Sequence, residues 1–144
     1  MKYALIGAGR ISTNHIKAAI NNKLEIVAVC DVIIDHIEEV LKKNDILEDK
    51  SIKRYTDYKL MLEENPEIEL ISIATESGSH AEIALYCINA GKNVIIEKPM
   101  AMSIDDCDKL ISLSKEKNVK VCACHQNRFN VAIQQLRGAI ESGR

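Results

Sequence analysis

The chain of 144 residues has the length of a single domain with a full hydrophobic core. Its 47% hydrophobic and 28% charged residues are typical of a globular protein, and a net charge of -2 argues against a general nucleic-acid surface, which needs clustered Lys and Arg. No apolar run approaches the roughly 18–20 residues of a membrane span, so no membrane partner is expected.

Short apolar runs alternate with longer amphipathic stretches, which is typical of βαβ units and a parallel sheet. The runs are almost continuous, as in strands that are buried on both faces. Strands are predicted at residues 3–6, 25–30, 70–74, 94–97 and 119–124, with a weaker one near 53–55. The expected fold is therefore α/β, a Rossmann-like doubly wound and mainly parallel sheet of about six strands with helices on both faces.

Apolar residues between these strands recur every three or four positions, which predicts helices. The helical segments are 33–41, 80–90, 104–111 and 131–141, and a helical pattern also follows the first strand. Ser79-x-x-Glu82 and Ser103-x-x-Asp106 resemble capping arrangements at helix starts. Gly91 stands where a left-handed residue ends a helix.

The first strand runs into Gly7-Ala8-Gly9. Gly7 permits a tight turn, Gly9 lets the backbone approach a ligand, and the following helix offers free N–H groups to phosphates. Ser12 stands at the usual third glycine position, so the strict G-x-G-x-x-G pattern is not met. The position after the first strand predicts a pyrophosphate site, and the alternative is a purely structural glycine turn.

The second strand leads to Asp31. A carboxylate here accepts hydrogen bonds from the adenosine ribose hydroxyls and repels the extra phosphate of NADP, which favours NAD over NADP as the cofactor. Arg10 weakens this preference, because an Arg near the site accommodates a 2′-phosphate. The alternative for Asp31 is a helix N-cap or a loop acid.

Glu97-Lys98-Pro99 follows the strand at 94–97, at the carboxyl edge of the predicted sheet, where such folds bind ligands. A Lys held among apolar strands is expected to be partly desolvated, which lowers its pKa and makes it a better proton carrier. Glu97 is expected to orient Lys98 or to hold a ribose. The alternative is a charged pair in a solvated loop.

The polar segment 125–130 follows the last predicted strand at the same edge. Its Asn127 and Arg128 suit hydroxyl or phosphate recognition, and the alternative is a polar linker. Nearby, Cys122 and Cys124 are interpreted as small buried cysteines, and no metal is expected. The odd number of cysteines without a C-x-x-C pair favours a reduced, cytoplasmic setting.

Two segments together resemble a known family, that of glucose–fructose oxidoreductase, inositol dehydrogenase and the MocA-like oxidoreductases. They are Gly7-Ala8-Gly9 with His15 six positions later, and residues 90–99 ending in Glu97-Lys98-Pro99. The resemblance covers the chain as an N-terminal domain. Residues 125–130 are similar to the subgroup of WlbA- or WbpB-like dehydrogenases, which act on UDP-linked N-acetylamino sugar acids.

The resemblance implies an NAD-dependent oxidoreductase that moves a hydride between nicotinamide and a sugar or nucleotide-sugar hydroxyl carbon. Lys98 would be the catalytic residue beside the nicotinamide, Glu97 would contact the nicotinamide ribose, and the Lys98–Pro99 peptide would be cis. The cofactor-binding residues implied are Gly7, Ala8, Gly9, Arg10, Ile11, Asp31, Thr75, Glu97 and Lys98, and the substrate-binding ones are Lys98, Asn127 and Arg128. One departure is Glu76, an acid in a loop that passes close to the cofactor in the family.

Members of this family carry a second domain that closes the substrate pocket, supplies another acid/base group and forms the oligomer interface. Residues 1–144 contain no match to it, so we expect them to be the NAD-binding domain of a homo-oligomer, binding NAD weakly and oxidising no sugar alone. Two alternatives stay open. One is a non-catalytic NAD sensor, and the other is a methyltransferase that uses S-adenosylmethionine, in which residues 90–99 would have no role.

Overall fold

A computed structural model describes residues 1–143 as one parallel sheet covered by helices. The strands are β1 (Lys2–Ile6), β2 (Glu25–Cys30), β3 (Lys53–Tyr55), β4 (Leu70–Ile73), β5 (Asn93–Ile96) and β6 (Val121–Ala123). They lie in the order β3-β2-β1-β4-β5-β6, and each neighbouring pair is parallel. The chain therefore starts in the middle of the sheet and winds outward twice, which confirms the predicted doubly wound fold.

One helix connects each pair of consecutive strands, and a further helix follows the last strand. The helices are α1 (Ser12–Asn21), α2 (Ile34–Lys43), α3 (Tyr58–Glu64), α4 (His80–Asn89), α5 (Ile104–Glu116) and α6 (Val131–Glu141), with a short 3₁₀ turn at Gln126–Phe129. The sequence pattern did not predict α3. With 7 residues it is too short to show helical periodicity, and it begins at Asp57, whose side chain accepts hydrogen bonds from the N–H groups of Lys59 and Leu60.

The core has a layer on each face of the sheet, and β1 supplies both. Ala4 and Ile6 belong to one buried cluster, whereas Tyr3 and Leu5 belong to the other. Successive strand residues point to opposite faces, so a strand covered on both sides must be apolar at every position. This explains the continuous apolar runs that predict the central strands.

The last strand differs most from the prediction. β6 contains only Val121–Ala123, instead of residues 119–124, and it lies at the edge of the sheet. Cys122 is exposed and Cys124 is half-buried. The expectation that both cysteines are buried is therefore wrong, because an edge strand next to the exposed helix α6 has less cover than the central strands.

Helix ends follow the predicted caps in part. Ser103 accepts a hydrogen bond from the N–H of Asp106, and Gly91 has a φ of 74°, as expected. The Ser79 cap is wrong, because its hydroxyl donates to Thr75 Oγ1 instead. In residues 1–143, no helix combines the length and the apolar character needed to cross a membrane.

Candidate functional site

The carboxyl ends of β1, β2 and β4 border a cleft of about 670 Å³, a volume usual for small-molecule sites. It lies where the strand order reverses between β1 and β4, the point at which open α/β sheets bind ligands. Several sequence-predicted cofactor residues line it together, namely Gly7, Gly9, Arg10, Ile11, Asp31 and Thr75. The side chains of Tyr58, Ile83 and His36 complete the wall.

The two glycines of the first turn have different roles. Gly7 has a φ of 93°, and a Cβ at this position would stand 2.5 Å from the carbonyl carbon of Ala74. Gly7 therefore lets β1 and β4 approach each other where the chain turns. A Cβ on Gly9 would meet nothing within 4 Å, so the space beside Gly9 is open to a ligand.

Ser12 takes the place of the third glycine and is fully buried. Its hydroxyl donates a hydrogen bond to the carbonyl oxygen of Gly9, and its backbone N–H approaches the same oxygen at 3.1 Å. The serine thus closes the turn by a bond that a glycine lacks. The departure from G-x-G-x-x-G leaves the turn itself intact.

Asp31 lies directly after β2 and is bonded to the phosphate turn. Oδ2 of Asp31 accepts a hydrogen bond from the N–H of Ala8 at 2.7 Å, and Oδ1 accepts one from the N–H of Ile33 at 2.9 Å. His36 Nδ1 lies 3.2 Å from Oδ1. The N-cap alternative is wrong, since the N-cap of α2 is Ile33, and sequence reasoning missed His36.

The unexpected Glu76 has a structural role in the loop after β4. Its carboxylate accepts hydrogen bonds from the N–H groups of Gly78, at 2.5 Å, and Ser79, at 3.2 Å. Hydrogen bonding, first of all by Ser79, holds the pKa of Glu76 below its usual value. The acid therefore shapes the loop that brings Thr75 to the cleft.

Glu97 is buried at the end of β5, where it meets two other ligand-type side chains. Its Oε1 lies 3.1 Å from Nε2 of His15, and its Oε2 accepts a hydrogen bond from the N–H of Lys98 at 3.2 Å. One ring nitrogen of His15, one carboxylate oxygen of Glu97 and Sγ of Cys124 lie within 4.8 Å of one another. Burial, with the nearby Glu97, raises the pKa of Cys124 to about 11, so the thiol stays protonated at neutral pH.

Lys98 has a less shielded position than its sequence context suggests. The side chain is exposed, and the Lys98–Pro99 peptide bond is cis, as the family resemblance implies. The expected desolvation of Lys98 is wrong for the described part of the chain, because Glu97 takes the inward position at the strand end and Lys98 faces outward. The residues before and after Lys98 are nevertheless held by hydrogen bonds.

His80 is almost completely buried, at 1% exposure, and links two segments. Its Nδ1 lies 2.8 Å from the carbonyl oxygen of Pro99, and its Nε2 lies 3.1 Å from that of Thr75. His80 therefore bridges the cleft loop and the Lys98 turn.

The polar segment after β6 borders a separate cavity of about 550 Å³. Arg128 lines it with Phe129 and Arg137, whereas Asn127 is exposed beside it. Since β5 pairs with β6, residues 97–98 and 124–128 leave the sheet at the same edge. The candidate substrate-binding residues thus lie at one edge of the sheet, but the cavity that Arg128 lines is separate from the cofactor cleft.

The model of one protein family matches residues 1–125, and its description is an oxidoreductase family with an NAD-binding Rossmann fold. Inositol 2-dehydrogenase from Salmonella typhimurium is 31% identical over 99% of this chain. Myo-inositol 2-dehydrogenase from Thermotoga maritima is 28% identical over the same share. The chain spans only about two fifths of these relatives, 42% and 41% of their lengths.

Solved structures agree with this match. The WlbA dehydrogenase from Bordetella pertussis, in complex with NADH and UDP-GlcNAcA, superimposes with a TM-score of 0.85 at 29% identity. It covers all of this chain, which corresponds to 43% of the WlbA chain. An oxidoreductase from Agrobacterium radiobacter, in complex with NAD⁺, L-tartaric acid and magnesium, has a TM-score of 0.83 at 26% identity over 99% of this chain and 40% of its own.

Proposed function

The chain belongs to the Gfo/Idh/MocA oxidoreductase family with its NAD-binding Rossmann fold, and we propose that it is the cofactor domain of an NAD-dependent dehydrogenase acting on sugar-like alcohols. One observation carries this proposal. A dinucleotide-type cleft with Asp31 and a turn that presents Lys98 lie at the same edge of one parallel sheet. A binding module needs only the first of these, whereas a redox site needs both.

The cleft suits the adenosine and phosphate part of NAD. The open space beside Gly9 and the start of α1 suit the pyrophosphate, and Asp31 suits the adenosine ribose. Ala8 contributes through its N–H, which keeps the Asp31 carboxylate in place, while Arg10, Ile11 and Thr75 line the walls. When bound, NAD supplies the site with its hydride chemistry.

Lys98 is the residue that we assign to proton transfer. When a hydroxyl-bearing carbon is oxidised, its O–H proton must leave. Lys98 would take it up as the neutral amine, a form that bound cofactor and substrate would favour by shielding the side chain from water, and would return it in the reverse direction. Glu97, buried beneath the turn, would orient Lys98 and contact the nicotinamide ribose. The exposed side chain of Lys98 reaches a substrate without displacing any packed residue.

The substrate class that we propose is a sugar or a nucleotide sugar, including a UDP-N-acetylamino sugar acid. Support comes from the similar inositol dehydrogenases and from the WlbA structure in complex with UDP-GlcNAcA. Asn127 and Arg128 carry the amide and guanidinium groups that recognise hydroxyls, carboxylates and phosphates, and they leave the sheet next to the Lys98 turn.

We also propose that residues outside this domain complete the substrate pocket and join copies into a homo-oligomer. The relatives are more than twice as long as the matched region. The apolar face of α6 is open in the described structure, with Val131, Leu136 and Ile140 exposed by 67%, 57% and 67%. Such a face is typical of a packing surface. The cytoplasmic setting that we infer is consistent with the free thiols of all the cysteines.

Calorimetric titration of the chain with NAD, NADP and S-adenosylmethionine tests the cofactor. We expect binding of NAD, weaker binding of NADP and none of S-adenosylmethionine. Preference for S-adenosylmethionine would contradict the proposed function. In the whole protein, a Lys98→Ala variant should lose nearly all turnover and keep most of its NADH affinity, since the contacts at the adenosine and phosphate end remain, whereas a sensor would keep its full response to NAD redox state.

A further inference from the structure

Two buried histidines approach the Lys98 turn from opposite sides. His15 is 9% exposed and His80 is 1% exposed. His15 contacts the residue before Lys98, and His80 contacts the residue after it. We propose that these histidines are positioning residues that fix the Glu97-Lys98-Pro99 turn for its work at the nicotinamide end of the cofactor, an inference that rests on the proposed function.

The first contact fixes Glu97. Nε2 of His15, on α1, lies 3.1 Å from Oε1 of Glu97, and the other carboxylate oxygen accepts the N–H of Lys98 at 3.2 Å. Rotation of the buried carboxylate would break both bonds and leave a buried charge without a partner, which is costly. His15 therefore holds, through Glu97, the backbone N–H of Lys98.

The second contact fixes Pro99 and joins it to the cofactor cleft. Nδ1 of His80 lies 2.8 Å from the oxygen of Pro99, and Nε2 lies 3.1 Å from the oxygen of Thr75. A neutral imidazole donates to one carbonyl at a time, whereas an imidazolium donates to both. Through this ring, the loop that lines the cleft and the turn that carries Lys98 are held at a set separation.

These contacts explain how an exposed lysine can act at a defined place. The side chain of Lys98 is free to move in solvent, but the residues on both sides of it are tied to buried groups on α1 and α4. The backbone that carries a reacting group must be held in place, because misplacement by about 1 Å costs up to about a hundredfold in rate. The histidines hold that backbone without contacting the reacting atoms.

The test compares the affinities of the chain for NADH and for ADP, which lacks the nicotinamide half. His15→Gln keeps an N–H donor near the Nε2 position, whereas His15→Ala removes it. His80→Asn keeps the donor near Nδ1, toward Pro99, and His80→Gln keeps the one near Nε2, toward Thr75. Asn65→Ala is the control, since Asn65 is fully buried and bonded to Met61 and Tyr55, remote in sequence from the turn.

We expect His15→Ala and a matching His80→Ala variant to bind NADH about tenfold more weakly, the effect of one lost hydrogen bond, with ADP affinity changed less than about twofold. His15→Gln and His80→Asn should recover most of the NADH affinity, and His80→Gln should not. Asn65→Ala should lower stability and leave the ratio of the two affinities unchanged.

Two results would overturn the inference, and they are distinguishable. If the parent chain binds NADH but all histidine variants keep the parental ratio of affinities, or lose NADH and ADP affinity equally, the positioning role fails while the proposed function stands. If the parent chain binds ADP and NADH equally tightly, the nicotinamide half makes no contact, and both proposals fail.

Discussion

The carboxylate of Asp31 accepts a hydrogen bond from the backbone N–H of Ala8, at 2.7 Å. This bond joins the end of β2 to the phosphate turn that follows β1, so the acid expected to bind the ribose also fixes the turn expected to bind the phosphates. Asp31 therefore contributes to two properties, the charge in the cleft and the geometry of the turn.

Variants of Asp31 should separate these two properties. Asp31→Asn keeps an acceptor oxygen for Ala8 but removes the negative charge and the second acceptor, so NADP should bind better relative to NAD, with a smaller loss of stability than in Asp31→Ala. Asp31→Ala should also lower the free energy of unfolding by about 1–3 kcal/mol, because the N–H groups of Ala8 and Ile33 lose their acceptor. Urea unfolding and calorimetry measure the two effects. An unchanged NADP to NAD affinity ratio in both variants would contradict the proposed role of the charge.

The two glycines of the turn form a matched pair. Gly7→Ala should lower the free energy of unfolding by at least about 2 kcal/mol, because the residue has a φ of 93° and a Cβ would stand 2.5 Å from backbone atoms of Ala74 and Thr75. Gly9→Ala meets open space, so stability should change by less than about 1 kcal/mol while NAD affinity falls. Urea unfolding measures both effects, and an equal loss of stability in the two variants would contradict these separate roles of the glycines.

Thiol reactivity should follow exposure and pKa. Burial raises the pKa of Cys30 and of Cys87 to about 12, so both thiols are protonated and shielded near neutral pH. Cys122 is exposed and should be alkylated by iodoacetamide first, with Cys124 much slower, because burial and Glu97 raise its pKa to about 11. Peptide mass spectrometry over time gives the order, and the urea-unfolded chain is the control. Fast labelling of Cys87 in the folded chain would contradict the core as described.

Two leucines on different helices should differ in their effect on stability. Leu110, on α5, is fully buried, and Leu110→Ala should cost about 2–5 kcal/mol. Leu136, on α6, is 57% exposed, and Leu136→Ala should change the free energy of unfolding by less than about 0.5 kcal/mol. Thermal or urea unfolding of the chain checks both. A large loss in Leu136→Ala would mean that α6 packs in solution against a surface that it does not contact here.

The central strands and the doubly wound fold could be predicted, because burial on both faces produces continuous apolar runs. The extent of the last strand and the presence of the shortest helix could not be predicted. β6 is shorter than its apolar run, and α3 is too short to show a period. The exposure of Lys98 was missed because β5 ends at Ile96, one residue earlier than its apolar run suggests. Glu97 is still buried against His15, whereas Lys98 lies beyond the strand end and is exposed. A local pattern predicts which residues are buried better than it predicts where a strand stops.

The histidines show what a sequence pattern can and cannot provide. Ser12, His15, Ile16 and Ala19 are the buried residues of α1, at helical spacing, so the pattern places His15 on the packed face. It does not show that the packed face meets Glu97, because residues 15 and 97 are brought together only by the sheet order. The contact of His36 with Asp31 is also set by geometry, at the turn into α2.

The place of β1 in the middle of the sheet has a consequence for how the chain is made. Residue 3 pairs with residue 26 on one side and with residue 70 on the other. As the chain emerges during synthesis, one edge of β1 stays unpaired until β4 has been added. Open strand edges of this kind favour association between chains, and distant pairing slows folding. The first 69 residues are therefore the stretch in which the growing chain most needs protection from its neighbours.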